Sequence, residues 1–299
     1  MFIVRVVLLL FAYWIPISSA QELTPRAYWP APTGTRLVSL GATYTSGDTV
    51  PDPSLPIAGV DSSITQVLAG YLHTLDLFGR TANFIVSVPF ANGETNATIR
   101  DVDYSRNYEG LGDVTATLSL NLMGAPAMDA AAFGKLRENP KPILGASVKL
   151  VAPTGQYDND RAINVGANRW AGKVELGYIL PISPRWLLET DAGAWFFTDN
   201  DNFLGTTREQ EAIYSLQFHL IHRFSPGFWA SLDLNGYKGG RSTVANIKLD
   251  DVQRDSRWGV TFVFPLARAH AIKSSYSSGS ANDSNEDFDI FTISYQMLL

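Results

Sequence analysis

The sequence predicts an all-β protein: a transmembrane antiparallel up-and-down β-barrel of about 12 strands, with short periplasmic turns and long extracellular loops. Apolar and polar residues alternate with a period of two, most clearly over residues 113–122. That period places successive side chains on opposite faces of a sheet. Long and short connections also alternate along the chain, and the last alternating segment ends on the final residue, Leu299. Membrane barrels of bacteria have this loop asymmetry and an even number of strands.

The first 20 residues have the pattern of a secretory signal peptide. Arg5 supplies the positive charge, residues 6–17 form an apolar run that contains one proline, and Ser18, Ser19 and Ala20 precede the predicted cleavage site. The run is too short for a membrane helix, which needs about 20 apolar residues. We therefore predict a signal peptide over residues 1–20, an extended proline-containing lead-in over 21–35, and an outer-membrane barrel over 36–299. An uncleaved signal anchor is the less favoured alternative.

The composition of the chain excludes several classes of protein and of binding partner. Cleavage after Ala20 removes one arginine and no acidic residue, which changes the formal net charge from −6 to −7. This mild acidity argues against a nucleic-acid partner. The chain has no cysteine, which excludes a lipid-anchored lipoprotein and structural disulfides. Apolar content is ordinary, as in a barrel where only every second strand residue meets lipid.

The first part of the chain contains four predicted strands. They cover residues 36–45, 64–77, 81–90 and 113–122, and the second of them alternates poorly. Residues 46–63 and 91–112 are predicted as long polar loops, and residues 76–80 as a tight turn. Residues 123–141 are rich in alanine and allow one short helix. This segment is the exception to the rule of short turns on the periplasmic side.

Eight further strands complete the predicted barrel. Three are closely connected, at 143–152, 169–178 and 186–197, and after a loop over 198–212 two more cover 213–223 and 228–237. A loop over 238–255 precedes the tenth strand, at 257–264, and the eleventh ends near Ser277. After a polar loop at 278–286 the last strand resembles the C-terminal signature of outer-membrane proteins, except that its final residue is Leu299 where an aromatic residue is usual.

Alternation alone leaves open whether the apolar face is buried, as in a soluble sandwich or barrel, or faces lipid. Aromatic residues at many strand ends favour the membrane barrel, because they match the aromatic girdles at the two membrane interfaces. These residues are Tyr44, Phe90, Trp170, Tyr178, Trp186, Phe196, Tyr214, Phe228, Trp258 and Tyr276.

The opposite, polar face carries charges of both signs, and these residues are the predicted lining of the lumen. Two interpretations stay open: a network that neutralises itself and braces the lumen, which is favoured because small barrels are largely filled by side chains, and a lining that steers solutes. The residues are Lys149, Arg169, Lys173, Glu175, Glu189, Asp191, His219, Arg223, Asp233 and Arg257.

Several motifs of the chain are long enough to be specific. They are APTGQYD at 152–158, NVGANRW at 164–170, AWFFTDNDNF at 194–203 and SRWGVTFVFPL at 256–266, with shorter ones in LFGR, GLGDV, YSLQFHL and GGRS. Together they resemble the outer-membrane family labelled "putative MetA-pathway of phenol degradation". The resemblance covers nearly the whole mature chain. It implies an outer-membrane barrel that passes small, often aromatic, compounds, and it supplies no catalytic residues.

We therefore predict a channel or transporter for small organic, phenol-type solutes in the bacterial outer membrane. Its predicted partners are outer-membrane lipids, these solutes and, during biogenesis, the barrel-assembly machinery. Two alternatives belong to other classes: a lipid hydrolase, for which His219 near Ser215 and Ser231 would supply a catalytic pair, and a barrel whose loops form a binding or adhesion surface. No enzyme activity, cofactor or metal site is predicted. Asp199, Asn200 and Asp201 could bind calcium in a loop, but a solvated acidic loop is favoured because their spacing does not fit a known calcium loop.

Overall fold

The computed structural model describes residues 23–51, 59–99, 102–280 and 287–299. The predicted signal peptide lies outside the described residues. The strands and the helix are, in chain order, β1 (Arg36–Gly47), β2 (Val60–Leu77), β3 (Arg80–Ile99), β4 (Val102–Leu111), β5 (Val114–Met123), α1 (Ala130–Glu138), β6 (Ile143–Ala152), β7 (Ala171–Pro181), β8 (Trp186–Phe197), β9 (Asn200–Phe203), β10 (Thr206–Gln210), β11 (Ile213–Ser225), β12 (Phe228–Gly239), β13 (Ser242–Val244), β14 (Ile247–Lys248), β15 (Gln253–Ala267), β16 (His270–Ser280) and β17 (Asp287–Leu298).

Twelve antiparallel strands close into a barrel, which confirms the predicted fold class. Neighbouring strands follow the order β1, β2, β3, β5, β6, β7, β8, β11, β12, β15, β16 and β17, and β17 pairs with β1 to complete the circle. The register of the closing pair runs from Leu37 opposite Leu298 to Gly47 opposite Phe288. Because closure leaves no unpaired edge among these twelve strands, their backbone groups are satisfied as a membrane-spanning sheet requires.

The outward-facing residues are apolar and exposed, as the alternation predicts. On β5, Leu118 is 41% exposed, whereas the next inward-facing residue, Ser119, is buried. Exposed aromatic residues at the strand ends include Tyr214, Trp258 and Phe196. Leucine and aromatic side chains on this outer surface are suited to contact with lipid.

Strand β3 changes partner at Pro89. Its periplasmic half, residues 82–87, pairs with β5, and its extracellular part, residues 90–99, pairs with β4. Pro89 has no N–H to donate to a ladder, and its carbonyl accepts the N–H of Gly112 at 2.9 Å. A Cβ on Gly112 would lie 2.9 Å from Pro89 Cγ, so this junction between β4 and β5 requires a glycine.

The prediction of a polar loop over residues 91–112 was wrong. Strands β3 and β4 continue through most of it as a paired hairpin, with Phe90 opposite Leu111 and Ile99 opposite Val102. The predicted loops at 198–212 and 238–255 also contain strands, since β9, β10, β13 and β14 form a separate four-stranded sheet. Polar residues on both faces concealed these strands, because water rather than lipid meets the sheet above the membrane.

The alanine-rich connection contains the short helix that the sequence allows. Asp129 caps α1 through a hydrogen bond from Ala132 N to Asp129 Oδ1 at 2.8 Å. The rest of the connection is tied to the strand ends, since Thr81 N donates to Ala125 O and Ala127 N to Gly79 O. Among the described helical residues there is no segment with the length and apolarity needed to cross a membrane.

Candidate channel lumen

A network of buried charged side chains fills one side of the barrel interior. His219 Nδ1 lies 2.7 Å from Asp233 Oδ1, and its Nε2 lies 3.5 Å from Asp191 Oδ2. Asp233 Oδ2 also accepts hydrogen bonds from Ser231 at 3.0 Å and from Thr261 at 2.9 Å. Opposite charges and hydroxyl donors therefore share one buried cluster, which offsets part of the desolvation cost of its charges.

A second part of the network lies on β7. Lys173 Nζ forms an ion pair with Glu175 Oε2, and Gln217 Nε2 donates to the same oxygen at 3.2 Å. Lys173 and Lys149 are direct cross-strand partners, and both ammonium groups lie near the Trp195 ring, at 5.9 and 5.8 Å from its centroid. These side chains brace β6, β7, β8 and β11 from the inside.

The N-terminal segment, residues 23–35, lies inside the barrel against this network. The N–H of Thr24 donates to Gln217 Oε1 at 3.3 Å, and the N–H groups of Arg26 and Tyr28 donate to the two carboxylate oxygens of Glu189. The sequence reveals the three prolines of this segment but gives no indication that it folds inward. Glu189 acts here as an acceptor for backbone donors that would otherwise lack partners in the lumen.

Tyr28 anchors this segment to the barrel wall. Its Oη donates to Glu175 Oε1 at 3.1 Å and lies 2.9 Å from Ser147 Oγ. The ring lies directly on two paired glycines, Gly145 and Gly177, at which a Cβ would approach the ring to 2.1 and 2.0 Å. The two glycines thus form the recess that receives the ring.

An apolar cluster closes the periplasmic end of the filled side. The inward-facing side chains of Ile143, Ile179, Leu187 and Ile221 are completely buried. They pack with Tyr28, Trp29, Ala125, Met128, Trp229 and Val263, and the helix contributes Phe133 and Leu136. The N-terminal segment and α1 are therefore held together by hydrophobic burial at the mouth of the barrel.

Among the described residues, the other side of the lumen is open around the middle of β2. Inward-facing residues of β7, β8, β11, β12 and β15 are mostly buried, whereas those of β1, β16 and β17 are partly exposed. On β2, Val67, Leu68 and Ala69 are all exposed, with Leu68 at 38%. Since consecutive strand residues point to opposite faces, exposure of all three means that the lumenal face of β2 is exposed at Leu68, as is the lipid face. Further along the same lumenal face, Ile64 and Thr74 are buried.

This open strip is lined by small and weakly polar side chains. Gly70 lies beside Ser39 and Ser87 on the neighbouring strands, and Gly41 lies opposite Ser294. Leu68, Leu72 and Ile85 add apolar surface. The strip therefore has room and mixed polarity beside a wall of fixed charges.

Residues of the extracellular loops cover the upper end of the lumen. The Arg169 guanidinium lies 4.5 Å from the Phe197 ring centroid and donates to Gln210, whose Nε2 donates to Gly240 O at 3.0 Å. Strand β10 pairs with β13, which joins the loop after β8 to the loop after β12.

Tyr157 connects a third loop to this cover. Its hydroxyl donates to Asn202 O at 3.1 Å and accepts from Asn200 Nδ2 at 2.9 Å. Burial raises the pKa of Tyr157, so the hydroxyl stays protonated and keeps both roles. Asn200 is bound in this asparagine network, and the described residues contain no group of three His, Cys, Asp or Glu side chains placed to hold a metal ion.

Comparison with known proteins gives the family. The model of the family described as "Putative MetA-pathway of phenol degradation" matches residues 41–279. The chain belongs to this family. A search of the curated proteins gave no match.

Two solved structures have a fold similar to that of this chain. The COG4313 outer membrane channel from Pseudomonas putida F1 is 20% identical, with a TM-score of 0.74 over 93% of this chain and 100% of that chain. The beta domain of the Bordetella autotransporter BrkA is 12% identical, with a TM-score of 0.53 over 89% of this chain and 100% of that chain. At these identities the likeness establishes the shared fold.

The structure brings most of the predicted lumen residues together on the filled side. Lys149, Lys173, Glu175, Glu189, Asp191, His219 and Asp233 belong to the charge network around the N-terminal segment. Arg169 belongs to the extracellular cover, and Arg223 lies near the periplasmic end. Arg257 donates to Ser277 and lies 5.6 Å from the Phe288 ring centroid.

The geometry does not assemble the hydrolase pair that the sequence left open. His219 is completely buried in the lumen and binds carboxylates, while Ser231 donates to Asp233. A lipase mechanism in a barrel requires a serine activated by histidine where it meets lipid. His219 and Ser231 face away from the lipid surface.

Sequence reasoning missed the apolar residues on the inward face. The parity of each strand places Ile143, Ile179, Leu187 and Ile221 on the same face as the charged residues. The sequence does contain a signal for these residues. Near the short turns the strands are apolar on both faces, which indicates that the lumen is filled at that end. Tyr28 and Trp29 carried no such signal because they lie outside the strands.

Proposed function

We propose that this protein is an outer-membrane channel that passes small organic solutes, including weakly polar aromatic ones. The description of its family refers to phenol degradation, and a solved structure with the same fold is called an outer membrane channel. The open strip beside the filled side of the lumen is the observation that carries the proposal. Its exposed Leu68 and half-buried Leu72 and Ile85, set among small polar side chains, suit solutes that combine an apolar body with a few polar groups.

The charge network next to this path is suited to brace the wall of the barrel. Lys173 pairs with Glu175, and His219 lies between Asp191 and Asp233. Since most charges are compensated locally, we expect weak selectivity for the sign of a solute along the strip. The network would then fix the position of the N-terminal segment while solutes move past it.

A matched pair of substitutions tests the path. Leu68→Trp places a large ring in the open strip. Val67→Trp places the same ring on the opposite side of β2, which faces lipid and where aromatic side chains are favoured. In liposomes, the Leu68→Trp protein should pass small aromatic solutes several-fold more slowly than the wild type, and the Val67→Trp protein at the wild-type rate. Equal rates for all three proteins would refute the proposed path.

Growth provides the cellular counterpart. Deletion of the gene should slow growth on a limiting aromatic carbon source, and the wild-type copy should restore it while Leu68→Trp should not. If the purified barrel instead releases fatty acids from lipid and moves no solute, the channel hypothesis is wrong and the lipid hydrolase takes its place. Loss of cell adhesion on loop deletion, with solute passage intact, would favour a loop-mediated binding function.

The proposed location is the bacterial outer membrane, after cleavage of the signal peptide near Ala20 and insertion by the barrel-assembly machinery. Thr24 is bound inside the barrel through Gln217, and this supports a mature chain that begins only a few residues before it. Sequencing of the protein from outer-membrane fractions should give Gln21 as the first residue. Retention of residues 1–20 in that fraction would contradict the proposed processing.

A further inference from the structure

Five residues near the periplasmic end of the lumen form what we call the arginine–indole cluster: Arg26, Trp29, Arg137, Arg223 and Trp229. The Arg26 guanidinium carbon lies 5.3 Å from the Trp29 ring centroid and 4.9 Å from that of Trp229. The Arg223 guanidinium carbon lies 4.9 Å from the Trp29 ring centroid. Two guanidinium groups and two indoles thus meet where the N-terminal segment, β11 and β12 approach one another.

Three N–H donors of the cluster have no hydrogen-bond partner among the described residues. They are Arg26 Nε, Arg223 Nη1 and Trp29 Nε1. Trp29 is only 7% exposed, so its N–H cannot turn to bulk solvent. A buried donor without an acceptor costs roughly 1–3 kcal/mol, and more when it is charged, so this concentration of donors favours an acceptor that binds between them.

The charge around the cluster is positive. The positive charges of Arg223 and Arg137 repel the Arg26 guanidinium, and the carboxylate of Glu189 attracts it. Glu189 already accepts the backbone N–H groups of Arg26 and Tyr28. Lys273, on the inward face of β16, adds another cation near Arg26, while Asp233 is bound to His219. An anionic acceptor is therefore favoured over a neutral one.

The surroundings of the donors are apolar and aromatic. Trp29 and Trp229 belong to the buried cluster that contains Met128, and Phe133 and Leu136 of α1 pack against it. Arg26 itself remains partly exposed, so solvent reaches part of this cluster. An anion that carries a flat apolar body fits both features, because the oxygens meet the guanidinium N–H groups and the ring meets the indoles.

We infer that the arginine–indole cluster is a binding site for a small aromatic carboxylate, an inference that rests on the proposed channel function because it names one class of its solutes. A carboxylic acid with a pKa near 4 is ionised at neutral pH, whereas a phenol with a pKa near 10 is not. The two oxygens of a carboxylate also match the planar fork of a guanidinium. The site thus selects aromatic acids over phenols of the same size.

Calorimetric titration of the purified mature protein in detergent tests this site, with benzoate as the probe. Benzoate should bind at least tenfold more tightly than acetate, which lacks the ring, and than benzyl alcohol, which lacks the charge. Arg223→Gln and Arg26→Gln should each weaken benzoate binding about tenfold or more. Arg26 lies outside the barrel strands, so its substitution tests the site even where Arg223→Gln impairs folding. Arg268→Gln, in an exposed periplasmic turn, is the control and should bind as the wild type does.

The outcomes separate this inference from the channel function. Failure of the wild type to bind benzoate, equal binding of benzoate and acetate, or unchanged binding in both arginine variants would overturn the site, even if the liposomes pass solutes. Benzoate binding that both arginine variants lose, in a protein that passes no solute, would support the site and refute the channel.

Discussion

At the scale of single residues, Thr117 and Leu118 show how alternation along one strand separates two environments. Leu118 is 41% exposed on the outer face of β5, whereas Thr117 faces the lumen opposite Ile85 and Lys149. Arginine at a lipid-facing site near the midplane costs about 2–4 kcal/mol. Leu118→Arg should therefore lower the unfolding free energy in lipid by about that amount, and Thr117→Arg by clearly less. Denaturant titration in lipid vesicles measures both, and the reverse order would contradict the face assignment.

A second prediction at the residue scale concerns the recess under Tyr28. A Cβ on Gly177 would approach the Tyr28 ring to 2.0 Å, whereas a Cβ on Gly172, in the same strand, would meet its nearest neighbour at 3.6 Å. Overpacking costs about 1–3 kcal/mol, so Gly177→Ala should lower the unfolding free energy by that amount, and Gly172→Ala should change it little. In a Tyr28→Ala background the cost of Gly177→Ala should fall, and only the part due to the close approach of the new Cβ to Asp191 Oδ1 should remain. An equal cost in both backgrounds would show that the ring does not occupy the recess.

Several residue assignments could be made from the sequence because strand parity is a strict rule. Once one residue of a strand is placed, every second residue shares its face, and this rule predicts that Glu189, Asp191 and His219 all face the lumen. Tyr28 and Trp29 escaped this rule because no strand parity constrains the N-terminal segment. Their contacts depend on partners about 120 to 200 residues later in the chain, and local patterns do not encode such distances.

At the scale of elements, the sheet formed by β9, β10, β13 and β14 connects two extracellular loops above the lumen. Its β13–β14 hairpin pairs with β10 through Arg208 and Val244. Replacement of residues 241–250 by a short glycine–serine linker should remove part of this cover and raise the rate of solute passage in liposomes. The barrel strands do not include these residues, so the unfolding free energy should change little. A decreased rate in a folded barrel would contradict the role of this sheet as a cover.

The elements above the membrane were also the least predictable from the sequence. Strand prediction relied on the contrast between an apolar and a polar face, and this contrast exists only where one face meets lipid. In β3 it ends near Phe90, yet the strand continues to Ile99 because β4 pairs with it. Water on both sides removes the signal without removing the hydrogen-bonded ladder.

At the scale of the whole molecule, the lumen is divided into a filled and an open side. The twelve strands and their order could be predicted, because each strand crosses the lipid and pairs with its neighbour along the chain. The division could not, because it depends on a segment outside the barrel strands that enters the interior. Glycines at 145 and 177 make room on one side, and in the part of the chain that the structure describes no equivalent segment covers Leu68 on the other.

The last prediction concerns the orientation of the whole barrel in the membrane. The first residue of β1, Arg36, and the last residue of the chain, Leu299, lie side by side at the end of the barrel that carries the short turns. Leu299 N donates to Arg36 O there at 3.0 Å. Chain termini and short turns of such barrels lie in the periplasm. An epitope inserted within residues 96–106 or 199–209 should therefore be reached by antibody on intact cells, and one at residues 225–227 only after the outer membrane is opened. Labelling of intact cells only at residues 225–227 would mean that the barrel is inserted the other way round, and the arginine–indole cluster would then lie at the outer mouth of the lumen.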